Sequence, residues 1–386
     1  MKKLVDIILA LALTLILLVG CCGAPASSGT TASSGAPASS GSSGSAVPGE
    51  PLGTVRYAMH PGASATGPGF LMQELELDKK YNFVGEMTVT PGPNVYAALA
   101  AGDLDIGYLG NGMGWHYFES DPKIAVITID NLTNDDRLIM RNTSDIGPNE
   151  PMEGLFEKLP GKTIACDLTT TPGTFLKSLV NALNEGHDDA DKIWYEDVEG
   201  AYPLKGSPDK QIIILNTTNA NVTASMQDPS IDGAICFSNV RAALERDTEH
   251  FHTSATTFTH LSDTVTPSTW AVNRDFAAEH PELVQAFTYA LVEAMDFRAD
   301  EANWEKSVEM AIPFDQLSAE DYDRDAAYWP SKEDLRGYWE TDDSMGFTYL
   351  EQIRASHMGS NGLDADTAPA AKDIILVEFI RNATQN

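Results

Sequence analysis

Positive charge is scarce in this sequence: 25 Lys and Arg stand against 56 Asp and Glu, a formal net charge of −31. So acidic a chain opposes nucleic acid and anionic membrane surfaces as partners, because both attract basic faces. Cysteine is nearly absent as well. Of the four, Cys21 and Cys22 are adjacent near the N-terminus, leaving Cys166 and Cys236 for everything after them. That excludes a disulfide-stapled scaffold. After Val19 no apolar run reaches the length of a membrane span. No Gly-x-Ser-x-Gly elbow, phosphate-binding Gly-Lys loop or His-Glu-x-x-His occurs. His250 and His252 could share a metal only from a strand, and no third ligand accompanies them. Neither a metal nor a cofactor is expected.

What is there begins with an export pattern. Lys2-Lys3 precedes an apolar run from Ile7 to Val19, too short for a stable span and built like a signal peptide. Leu18-Val19-Gly20-Cys21 resembles the bacterial lipoprotein signal, which implies lipidation of Cys21 and anchoring to a membrane. Residues 21–53, rich in Ala, Ser, Gly, Thr and Pro, bury no apolar area and read as a flexible tether spanning roughly 30 Å.

The remainder is organised around Val95 to Asn111. Val95 to Ala101 has helical spacing, Gly102 suits a helix C-terminus, and Ile106 to Leu109 is a short buried strand ending in Gly110-Asn111-Gly112. The phrase returns at Thr223 to Asn239, with Asp232 matching Asp105 and Asn239 roughly matching Asn111. Each copy closes the order strand, loop, helix, strand, helix. The fold class expected is therefore α/β: two doubly wound lobes joined by two crossing strands. The boundaries read as lobe 1 over 54–145, lobe 2 over 146–264, and a return to lobe 1 over 265–386. Arg137–Arg141 falls in lobe 1, Ser268–Asn273 is the returning strand, Asn94 reads as a helix cap and Ala319–Ala327 as a helix. By the same order the strands ending in Cys166 and Cys236 are neighbours. The two thiols could pair in an oxidising compartment or remain separate.

Three passages, Ala97 to Gly107, Leu159 to Ala165 and Val272 to Val284, resemble the solute-binding proteins of ABC importers. More narrowly, the chain is similar to the nitrate/sulfonate/taurine class with its NMT1/THI5-like domain. The resemblance implies a type II periplasmic-binding fold closing around one small molecule, an ABC permease as partner, and action as a monomer. It places ligand contacts on His60, Gly62, Ser64 and Thr66 after the first strand and on Asn111 and Met113 at the organising strand's mouth. It adds Thr169, Thr170, Thr171 and Thr174 at the second lobe's helix start. Phe237, Ser238 and Asn239 complete the set, although many relatives carry Trp with an acid and Pro there, which puts taurine-type recognition in doubt. Free N–H groups at the threonine-rich helix start would favour an anion. Arg137 and Arg241 are open to either anion binding or solvated ion pairs, and Trp115 and Trp270 to packing or a ligand platform. The function expected is capture of a small organic anion. A thiamine-type pyrimidine or aromatic acid, or an enzyme on the same fold, is the alternative.

Overall fold

The structure, a computed structural model, describes residues 50–386 apart from 61–66, 199, 263–264, 266, 316, 359–362, 365 and 386. The export signal, Cys21 and the tether up to residue 49 lie outside the described residues, as do Gly62, Ser64 and Thr66; the tether's expected end is ordered, with the Leu52 N–H bonding the Asn82 carbonyl at 2.8 Å.

Strand and helix alternate to build the first sheet. The order is β1 (Thr54–Met59), α1 (Pro68–Glu74), α2 (Leu77–Lys80), β2 (Val84–Val89), α3 (Gly92–Ala101) and β3 (Ile106–Leu109). β1 lies parallel between β2 and β3. A 3-10 segment, Asn111–Phe118, leads to β4 (Ile124–Thr133). The α3 helix starts before Asn94, at Gly92, because Pro93 suits a first turn, where a missing N–H costs nothing. It ends as expected on Gly102 at φ 79°, the left-handed region glycine enters freely.

No Gly or Pro interrupts Ile124 to Arg141, so the chain stays extended and passes from one sheet to the other. β5 (Arg137–Arg141), expected in the first lobe, therefore pairs antiparallel with strands of the second sheet. That sheet continues through α4 (Met152–Lys158), β6 (Thr163–Cys166), α5 (Thr171–Leu183), a hairpin of β7 (Tyr195–Asp197) and β8 (Gly200–Tyr202), and β9 (Ile213–Asn216). It closes with α6 (Val222–Ser225), β10 (Gly233–Cys236), α7 (Ser238–Arg246), β11 (Phe251–Thr256) and α8 (Thr257–His260). Its order is β11-β5-β10-β6-β9.

β12 (Pro267–Asn273) then returns to the first sheet and runs antiparallel between β4 and β3. Helices α9 (Arg274–Glu279), α10 (Pro281–Ala299) and α11 (Trp304–Asp315) follow. After them come β13 (Ala327–Tyr328), α12 (Lys332–Trp339), α13 (Met345–His357), α14 (Ala371–Ile374) and α15 (Val377–Gln385). The first sheet's order is β13-β4-β12-β3-β1-β2. The helix expected over Ala319–Ala327 is instead two 3-10 turns and the short strand β13, which pairs with β4.

The repeated phrase has the same physics in both sheets. Asp105 accepts the Arg56 backbone N–H at 2.7 Å, and the Asp105 N–H bonds the Arg56 carbonyl at 2.9 Å. Asp232 accepts the Thr163 backbone N–H at 2.8 Å, and its own N–H bonds the Thr163 carbonyl at 2.9 Å. In each copy the aspartate fastens its strand to the start of the parallel neighbour. Behind both strands the faces are apolar. Val95 and Leu99 pack in the first core, Phe175 and Leu179 of α5 cover one face of the second sheet, and Val240 and Leu244 of α7 cover the other. Each such side chain contributes about 1.5–3 kcal/mol by burial.

Candidate functional site

Parallel order sends the C-terminal ends of β1, β3, β6 and β10 to one mouth, where open α/β sheets hold their ligands. On the first sheet, His60 lies against Tyr108 with ring centroids 4.8 Å apart. A Cβ at Gly92 would stand 3.8 Å from both His60 and Met113, so these residues share one wall. The second sheet reaches this wall directly: a Cβ at Gly112 would lie 3.5 Å from the Thr171 methyl. Gly112, next to Asn111, and Thr171 thus form the junction. Thr169 and Thr170 are exposed, while Thr174, Phe237 and Ser238 are half-buried and Asn239 is exposed.

Beneath the mouth runs the crossing 131–137, wholly buried although almost every residue in it is polar. Extended backbone points successive side chains to opposite faces, and this separates two adjacent carboxylates. Asp135 turns toward α7, where it accepts from Arg241 Nε at 2.8 Å and the Ser238 N–H at 3.0 Å. Asp136 turns toward α5 and, among the described residues, accepts one hydrogen bond, from the Thr171 hydroxyl at 2.8 Å. Burial and the neighbouring Asp135 charge push the Asp136 carboxyl up to about 8. Burial also raises Asp135, against the opposing pull of Arg241.

Arg137 and Arg241 are buried rather than solvated, and both are committed. Arg241 bonds Asp135, Glu245 and Asp323, and Arg137 bonds Glu245 at 2.8 Å and Asp323 at 3.0 Å. Neither guanidinium is placed to take an anion. Backbone donors at the α5 start are also largely taken. Asp167 accepts from the Thr169 N–H at 3.1 Å and from its hydroxyl at 2.7 Å, while the Gly173 and Thr174 N–H groups bond the Thr170 carbonyl. Pro172 has none. Asp167 and the Thr170 carbonyl thus already use most of the donors that the sequence offers to an anion.

Sequence reasoning expected crossing strands but did not locate this polar segment, Asp136 above all. The signal was present as a run of polar residues in an extended segment without Gly or Pro. Asn131 in the same run donates to the Tyr108 hydroxyl at 3.3 Å, and its buried Oδ1 has no hydrogen-bond partner among the described residues. Trp270 is a fully buried packing residue, its indole N–H donating to Asp130 at 2.9 Å. Ser238 holds φ 56° at the strand-to-helix turn, an uncommon conformation of the kind that gathers at functional sites.

The strands ending in Cys166 and Cys236 are neighbours, as expected. Cys166 pairs in register with Ile235, so Cys236, one residue on, projects from the opposite face. Cys166 packs with α5 and Cys236 with α7, and both thiols are free and pushed upward by burial. Opposed Cβ directions prevent a disulfide. His250 bonds Asp247, and His252 bonds Asn142 and the Ile146 carbonyl. Among the described residues no group of three His, Cys, Asp or Glu could hold a metal ion. None of the helices among them is long and apolar enough to cross a membrane. Concavities of 540 Å³ around Glu293 and Asp296 and of 380 Å³ around Arg56 and Asp105 lie on α10 and at the strands' N-terminal edge, away from the mouth.

Two sheets joined by crossing strands, with convergent parallel strand ends, define the type II periplasmic-binding fold. The taurine-binding periplasmic protein of Escherichia coli K12 is 28% identical over 229 residues, 59% of this chain and 61% of that protein. The match thus spans about three-fifths of the curated relatives' length. Among solved structures, the periplasmic nitrate-binding protein of Synechocystis PCC 6803 superposes with a TM-score of 0.59 at 12% identity. It covers 86% of this chain and 88% of its own. The alkanesulfonate-binding protein of Xanthomonas axonopodis pv. citri, bound to MOPS, gives 0.51 at 15% identity over 85% and 99%. The desulfurization enzyme DszB in complex with biphenyl-2-sulfinic acid gives 0.58 at 12% over 86% and 99%. No protein-family model matches the chain.

Proposed function

We propose that this protein is an extracytoplasmic solute-binding protein, anchored by lipid on Cys21, that captures one small organic solute and delivers it to an ABC importer. The solute belongs to the sulfonate/taurine class. The protein acts as a monomer, and its lobes are the two sheets, hinged at the crossing 133–137. The observation that carries the reading is the junction of Thr171 with Gly112 over a buried polar crossing, where the strand ends of both sheets meet. Relatives that bind taurine, alkanesulfonates and nitrate support the class.

An enzyme on this fold is the second reading, favoured by the likeness to DszB. Against it, both thiols are buried and held protonated, so neither is a poised nucleophile. A thermal-shift panel of sulfonates, nitrate, aromatic acids, pyrimidines and amino acids tests the proposal. A ligand at 100 times its Kd adds about 2.7 kcal/mol to folded-state stability. A shift from a sulfonate, with the solute recovered unchanged after incubation, supports binding without chemistry. A chemically altered solute supports the enzyme, and a shift from pyrimidines alone overturns the solute class.

A further inference from the structure

The mouth is more acidic than a site for a bare anion should be. Asp136 is 6% exposed and lies directly under Thr171, the residue at the junction of the sheets. Among the described residues it forms no direct ion pair. Arg241 on α7 faces it through the sheet but carries three other carboxylates, and Arg137 carries two. The remaining titratable groups whose charges reach Asp136 are Asp135 beside it, Cys166 on β6 and Cys236 on β10, none of them cationic. Asp167, on the far side of the threonines, adds another carboxylate to the α5 start. A buried carboxyl held against its own charge at a ligand mouth is a receptor for a cation.

Resting on the solute-binding reading, we propose that Asp136 determines specificity by recognising a protonated amine on the solute. The ligand is then an amino-bearing organic anion, not a simple one. An ammonium group supplies the counter-charge that Arg241 and Arg137 withhold, and its N–H groups replace water at the carboxyl. Pairing requires the carboxylate, so the proton resident on Asp136 leaves to the buffer as the amine enters. With the free carboxyl titrating near 8, roughly 0.9 proton is released per solute at pH 7. Binding therefore tightens as pH rises, by up to about tenfold per unit below pH 8, and levels off above it. A bare anion accepting a hydrogen bond from protonated Asp136 gives the opposite slope.

The experiment is calorimetric titration with matched pairs, taurine against ethanesulfonate and β-alanine against propionate. Wild type and Asp136→Asn are titrated at pH 6, 7 and 8 in two buffers of different ionisation enthalpy. The expected result is that one amine-bearing member binds at least tenfold tighter than its partner, releases close to one proton at pH 7 and tightens with pH. Asp136→Asn, which mimics the protonated side chain in size and neutrality, should abolish the proton release and reduce the preference below threefold while remaining folded by circular dichroism. If an amine-free member binds as tightly as its partner, or affinity falls with pH, the inference is overturned and the solute-binding reading stands. If no panel member binds wild type, the proposed solute class fails, and this inference with it.

Discussion

Arg241 is the buried cation on which the electrostatics of the crossing rest, and removing it has a calculable consequence. The side chain is 2% exposed and bonds Asp135, Glu245 and Asp323. Arg241→Met keeps the volume and removes the charge. Glu245 and Asp323 retain Arg137, whereas Asp135 keeps only the Ser238 N–H. Breaking a buried pair by deleting one partner costs about 3–5 kcal/mol. The stranded Asp135 carboxyl, already raised by burial, rises further, so the folded variant holds a proton that the unfolded chain loses near pH 4. Its stability is then retained below about pH 4 and lost as pH climbs toward the folded value, by up to about 1.4 kcal/mol per unit. Urea unfolding followed by tryptophan fluorescence at pH 5 and 8 should show a deficit larger at pH 8. Adding Asp135→Asn should recover most of it, because replacing both partners leaves no bare charge. A single variant within 1 kcal/mol of wild type at pH 8, or a deficit no larger at pH 8 than at pH 5, would refute the reasoning.

Asp136→Asn should lose the fall in stability that wild type shows between about pH 4 and 8, since a raised carboxyl gives stability below its unfolded value that is lost through its folded one. Parallel unfolding curves for the two proteins across that window would contradict this. Thr171→Val removes the hydroxyl bonded to Asp136 and should cost on the order of 1 kcal/mol in urea unfolding. Cys166 and Cys236 should both react with a thiol reagent in denaturant on a chain lacking Cys21 and Cys22, and a count below two would show that the opposed-face geometry is wrong. Cys21→Ala should release the protein from membranes, and equal fatty-acid labelling of wild type and variant would dismiss the lipid anchor.

The α/β layout was legible because it is written in local signals. Gly102 ends a helix where left-handed backbone is needed, and Asp105 and Asp232 recur before buried strands because both fasten parallel neighbours. Long-range pairing was less legible. Arg137–Arg141 reads as a strand from its residues, but its choice of sheet depends on β10 and β11, which follow it by roughly a hundred residues. Met113 and Thr171, which the sequence singled out, are brought by the fold to the two sides of one junction, next to Gly92 and Gly112. The site was hidden at Asp135 and Asp136, because adjacent acidic residues in an acidic chain look like solvated surface until the pleat sends them to opposite faces. The donors at the α5 start were misread for a related reason. Threonines at a helix start suggest free donors, and only the folded chain shows Asp167 and the Thr170 carbonyl already using them.

The central claim is that solute binds where Gly112 meets Thr171, and filling that space tests it most directly. Gly112 is exposed and a Cβ there makes ordinary contact with Thr171, so Gly112→Trp should fold normally while closing the mouth. The measurement is calorimetric titration of wild type and Gly112→Trp with the solute that stabilises wild type most in the thermal-shift panel. One site on wild type, and affinity at least a hundredfold weaker in a variant with an unchanged melting temperature, is the predicted result. Unchanged affinity in that folded variant would place the solute somewhere other than between the two sheets.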